Sequence, residues 1–79
     1  MEKRIGTVTL LIGDRSQAPR INAAIAEFSD IVLCRQGLPR REEPVAVIAL
    51  IVEGTSDRIN SLTGQLGRIP GLTAKAVIK

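Results

Sequence analysis

The sequence predicts a small α+β domain of element order βαββαβ, and three observations carry that expectation. Two similar halves each run strand, helix, strand, and a charged Gly/Pro-containing connection joins them. The run Pro44 to Val52, PVAVIALIV, is strand-length and apolar on both parities, so it belongs in the middle of a sheet. The chain has 79 residues and no long polar linker, which bounds it to one domain over residues 1–79.

Arg4 to Ile12 reads as the first strand, with Gly6, Val8, Leu10 and Ile12 on one face and Ile5, Thr7, Thr9 and Leu11 on the other. Gly13-Asp14-Arg15-Ser16 is a turn, and Asp14 or Ser16 is placed to cap the helix that follows. Pro19 suits the first turn of that helix, where amides have no intrahelical partner. The helix is expected to reach about Ser29 and to bury Ala18, Ile21, Ala24, Ile25 and Phe28.

Asp30 to Gln36 alternates like a strand with a polar end, and Gly37 to Glu43 connects it to the doubly apolar run as a hairpin. Gly54-Thr55-Ser56-Asp57 then supplies a turn and cap for a second helix, in which Ile59, Leu62, Leu66 and Ile69 recur every three or four positions. Pro70-Gly71 ends it, and Leu72 to Ile78 is the last strand. Arg20-Ile21-Asn22 and Arg58-Ile59-Asn60 form a short echo between the two helices.

Two βαβ halves with right-handed crossovers give a four-stranded antiparallel sheet in the order 4-1-3-2 with both helices on one face, the ferredoxin-like arrangement. The first and third strands, the most apolar, fall in the centre. Arg35 and Gln36 fall on one edge and Lys75 and Lys79 on the other, where charge discourages uncontrolled pairing. The second sheet face is then left without a cover. Along the third strand the uncovered parity is either Val45, Val47 and Ile51 or Ile48, Leu50 and Val52. Leaving three such aliphatics in water forgoes on the order of 4 to 9 kcal/mol, comparable to the whole stability of a small domain. With Leu11 and Val77 they make a contiguous patch, so the candidate self-association surface is Leu11 and Val77 together with Val47 or with Ile48 and Leu50.

Composition narrows the function classes. The balance of 11 Lys+Arg against 8 Asp+Glu gives a net charge of +3, mildly favourable to anions. Phe28 is the only aromatic residue, so base stacking has almost nothing to work with, and direct nucleic-acid binding is not expected. The single Cys34 has no partner for an intrachain bridge, and the chain has no histidine to join it at a metal. Cys34 reads as a small strand residue of a reducing compartment. A charged N-terminus and the lack of a long apolar run predict a cytoplasmic protein without a membrane segment. Without His, Tyr or Trp, and with no base for its one thiol, the chain is not expected to be an enzyme or to need a cofactor.

The segment Arg35-Gln36-Gly37-Leu38-Pro39-Arg40-Arg41-Glu42-Glu43 before the apolar strand, and Leu62-Thr63-Gly64-Gln65-Leu66-Gly67-Arg68-Ile69-Pro70-Gly71 with Lys75 after it, resemble a family of small ACT-like proteins described as iron-only hydrogenase system regulators. The resemblance spans essentially the whole chain. It implies a ferredoxin-like fold related to ACT domains and to the ligand-sensing domain of nickel-responsive repressors, and a role in hydrogenase expression or maturation. Nickel sensing in those repressors uses histidines, so their metal site is not implied here. Amino-acid-binding ACT domains carry a glycine just after an Asp-Arg pair in the first strand-to-helix turn, whereas Ser16-Gln17 follows Asp14-Arg15.

Gly13, Asp14 and Arg15 are therefore candidate ligand-binding residues, able to hold a small anion or amino acid, and the plainer reading is a capped, exposed turn. Arg40-Arg41-Glu42-Glu43 reads either as a docking tip or as a solvated hairpin end. Gly64 and Gly67 cost helix stability and suggest close packing against a neighbour. The functional expectation is a self-associating regulatory or sensor module acting through a ligand or a regulatory or maturation protein. Its alternative is a structural interaction module without a ligand.

Overall fold

The computed structural model describes residues 2–38, 42 and 44–79. Its elements are β1 (Arg4–Ile12), a short 3-10 helix (Arg15–Gln17), α1 (Ala18–Glu27), β2 (Val32–Leu38), β3 (Ala46–Gly54), α2 (Ser56–Gly67) and β4 (Leu72–Ile78). The strands form one antiparallel sheet in the order β2-β3-β1-β4, which is 4-1-3-2 read from the other edge.

Periodicity explains which face each strand buries. In β1 the even residues Val8, Leu10 and Ile12 are buried, and the facing residues of β3, Leu50 and Val52, are buried with them. From the helices, Ile21, Ile25 and Phe28 of the first segment and Ile59, Leu62, Leu66 and Ile69 of the second close the same core. Ala24 is half-buried, but Ala18 is exposed, contrary to expectation, because the chain spends Arg15–Gln17 in a 3-10 turn before α1 begins.

Caps and turns account for the boundaries. Thr55 Oγ1 accepts a hydrogen bond from Arg58 N at 3.2 Å and starts α2, with Asp57 in its first turn. α1 starts without a side-chain cap and with Pro19 in its first turn. At its end Arg58 of α2 donates two hydrogen bonds to Asp30, Nη2 to Oδ1 at 2.9 Å and Nη1 to Oδ2 at 3.0 Å, and its guanidinium sits 5.2 Å from the Phe28 ring centroid. That pairing holds the Asp30 carboxyl below its ordinary range, chiefly through the hydrogen bonds from Arg58, and raises Arg58 for the same reason. The two echoed Arg-Ile-Asn triplets occupy the same turn of their helices, and Ile21 and Ile59 both reach the core.

β2 carries an irregularity the sequence does not signal. Val32 pairs with Val52, but Cys34 pairs with Ile51, so one extra residue, Leu33, interrupts the ladder. Beyond that bulge the alternation of β2 is inverted. Cys34, Gln36 and Leu38 share the face of Ile51, and Arg35 shares the face of Leu50, under which the helices lie.

Candidate functional site

The face of the sheet turned away from the helices is built from the odd residues of β1, β3 and β4 and from β2 beyond its bulge. Register sets it out in rows: Cys34, Ile51, Thr7 and Val77; then Gln36, Ala49, Thr9 and Lys75; then Leu38, Val47, Leu11 and Thr73. Two rows rich in aliphatics thus flank a middle row of small or polar residues, and Ile5 extends the first row's side. Ile51 is 42% exposed and Val77 71%. Large aliphatics on neighbouring strands, all partly in water, make one patch rather than scattered exposures. The small side chains Ala49 and Thr9 at the centre would let a second flat layer come close.

This resolves the parity of β3. Val47, Leu11 and Val77 lie on the open face, whereas Leu50 is fully buried and Ile48 is packed against the core, so neither can form a surface patch. The reason is register: the antiparallel pairing sets Leu50 opposite Val8 and Ile48 opposite Leu10, both on the helix side. Ile5, Leu38 and Ile51 belong to the patch and were not singled out from the sequence. Thr7 and Thr9 on the odd parity of β1 were the signal that could have found it.

The turn after β1 is a structural device at two of its three candidate residues. Gly13 N donates to Gly71 O at 2.7 Å, tying the end of β1 to the start of β4. Gly71 has φ +75°, and a side chain there would meet Asp14 Cβ at 2.9 Å. Asp14 Oδ1 accepts from Ser16 Oγ at 2.6 Å and from Ser16 N at 3.0 Å, which holds its carboxyl below the ordinary value. Arg15, in contrast, borders a cleft beside α1. The structure thus separates the three: Gly13 and Asp14 shape the turn, and Arg15 faces a cavity.

Of the charged hairpin, Arg40, Arg41 and Glu43 lie outside the described residues. No atom of the chain comes within 4 Å of a Cβ built at Gly64 or Gly67, so these glycines do not mark close packing within the chain. Among the described residues no three of His, Cys, Asp and Glu gather as a metal ion would require, and no helix is long and apolar enough to cross a membrane.

Fold and surface together define a small ferredoxin-like domain with one covered and one open sheet face. The chain belongs to the TM1266-like family, described as "Iron-only hydrogenase system regulator, putative", whose model matches residues 4–76. It is similar over 98% of both chains to the TM1266 protein of Thermotoga maritima, at 40% identity and a TM-score of 0.89. CutA1 of Oryza sativa shares the fold at 15% identity and a TM-score of 0.55, over 96% of this chain and 80% of that one. The divalent ion tolerance protein CutA1 of Ehrlichia chaffeensis does so at 14% identity and 0.51, over 100% and 84%. No curated protein matches the chain.

Proposed function

We propose that this chain is a non-enzymatic, cytoplasmic regulatory module that pairs with a second copy of itself through the open face of its sheet. Its role is in the expression or maturation of the iron-only hydrogenase system, carried out through a regulatory or maturation protein rather than by direct contact with nucleic acid. The observation that carries the pairing is the open face itself, with Ile5, Leu11, Leu38, Ile51 and Val77 partly in water on adjoining strands.

Size and energy support this occupant. Seven-residue strands about 3.3 Å per residue and about 4.8 Å apart give a face of roughly 23 by 19 Å. Two such faces back to back cover on the order of 900 Å², near the lower bound of roughly 1,000 Å² for a specific interface. Covering the remaining half of five aliphatics on each copy is worth roughly 1 kcal/mol apiece, enough to offset a large share of the cost of association. A twofold pairing uses the same patch twice and needs no complementary surface elsewhere.

The family description supports the regulatory assignment. The absence of a reading surface for nucleic acid follows from Phe28, the one aromatic residue, which is buried beneath Arg58. An exposed free thiol at Cys34 suits a reducing compartment. The test is molar mass by light scattering over a concentration series. A rise from 8.5 kDa towards twice that value is expected, and a strict monomer up to about millimolar concentration would defeat the pairing.

A further inference from the structure

The bulge in β2 has a consequence for chemistry as well as for register. A strict alternation would send Arg35 to the open face. The extra residue at Leu33 turns it to the helix side instead, opposite Leu50. There it borders a cleft of about 180 Å³ between the first turns of α1 and the beginning of β3. Buried or half-buried Ile12, Ile21 and Ile48 make the floor, and the exposed side chains of Arg15, Arg35 and Asn22 make the rim. The described residues lining it include no Asp or Glu.

From this arrangement we infer that the cleft binds a short aliphatic carboxylate, with the carboxylate between Arg15 and Arg35 and the hydrocarbon tail on the isoleucine floor. Guanidinium groups present paired N–H donors in the fork geometry a carboxylate accepts. Asn22 adds a side-chain amide that can donate to the same group or to a polar substituent beside it. An apolar floor with a few convergent polar groups is the usual constitution of a small-molecule site. Size sets the class of ligand: 180 Å³ is well below the roughly 300–1,000 Å³ of sites for drug-sized molecules, and at about 30 Å³ per water it matches roughly six heavy atoms. A nucleotide does not fit, and a branched acid of about five or six carbons does. This inference rests on the cleft alone, on the opposite side of the sheet from the pairing face, and stands or falls separately from it.

The test is a titration of the ¹⁵N-labelled full chain with isovalerate, 4-methyl-2-oxopentanoate and leucine, which share the chemistry, and with isovaleramide, which has the shape of isovalerate without its charge. Saturable shifts centred on the amides of Asn22, Arg35, Ala46 and Ile48 are expected with at least one of the three acids by about 20 mM, and none with the amide. Arg35→Gln should weaken that binding about tenfold or more, while Arg68→Gln, remote from the cleft, should leave it unchanged. Arg35 is exposed, so its variant keeps the fold, and a thermal melt verifies this. Lack of saturation with all three acids, equal binding of the amide, shifts centred elsewhere, or equal weakening by Arg68→Gln would each overturn the assignment.

Discussion

Replacing Ile51 or its neighbour Leu50 by lysine asks which side of β3 meets water in the folded monomer and what lies over the other side. Ile51 is 42% exposed on the open face, and Leu50 is 0% exposed under the helices. In an isolated copy, the lysine at 51 can lay its aliphatic stem on the sheet and keep the ammonium in water, at a cost of about 1 kcal/mol or less in strand preference. In a face-to-face pair, the exposed part of Ile51 contributes roughly 1 kcal/mol per copy, and a twofold pair loses it twice. That alone raises the dissociation constant about 30-fold, and desolvating two ammonium groups adds to it. Leu50→Lys instead removes a core leucine, about 2–5 kcal/mol, and buries a charge at several more. Together these reach the 5–15 kcal/mol that holds a typical domain folded. Sedimentation velocity and circular dichroism melts at low concentration, where mass action contributes least, are the assays. Ile51→Lys should be folded and dissociated, and Leu50→Lys unfolded. If Ile51→Lys melts as Leu50→Lys does, or associates as the parent does, the reasoning is refuted.

Two further outcomes test local parts of the structure. Gly64 lies inside α2 with open space where a Cβ would stand, so Gly64→Ala should stabilise the domain by about 0.8–1 kcal/mol and raise Tm by roughly 4–8 °C; a fall in Tm would mean that another surface packs onto that helix. Asp30, held below its ordinary value by Arg58, stabilises the fold above its unfolded value of about 3.9, and that stabilisation is lost as pH falls through the lower folded value. Asp30→Asn should therefore be less stable than the parent in urea at pH 7 and should converge with it in strong acid, and a difference that persists there would assign the effect to something other than charge.

Much of this architecture was legible because each element carries its own punctuation. The nine-residue β1 matches its expected span, α2 opens on the Thr55 cap and closes before Pro70-Gly71, and the sheet order follows from two right-handed crossovers. The parity of β3 was not legible along that strand, since Val47 and Ile51 are as apolar as Ile48 and Leu50. Pairing with β1 decides it, because threonines 7 and 9 occupy the odd face there and Val8, Leu10 and Ile12 the even one. The shift at Leu33 was not legible at all. Nothing in the run Val32 to Gln36 distinguishes a bulge from regular alternation, yet it decides which side of the sheet receives Arg35 and which receives Cys34. Arg15 could be picked out from the turn that holds it, but its neighbours in the cleft come from three other elements, and only the fold brings them together.

The claim that a second copy covers the open face is tested most directly by isotope-filtered NOE spectra on an equal mixture of ¹³C-labelled and unlabelled chain. Intermolecular contacts are predicted among the methyl groups of Leu11, Val47, Ile51 and Val77, with none to Leu50 or Val52 on the covered side. A paired protein whose filtered contacts fall on α1 or α2, or whose open-face methyls show none, would contradict the account.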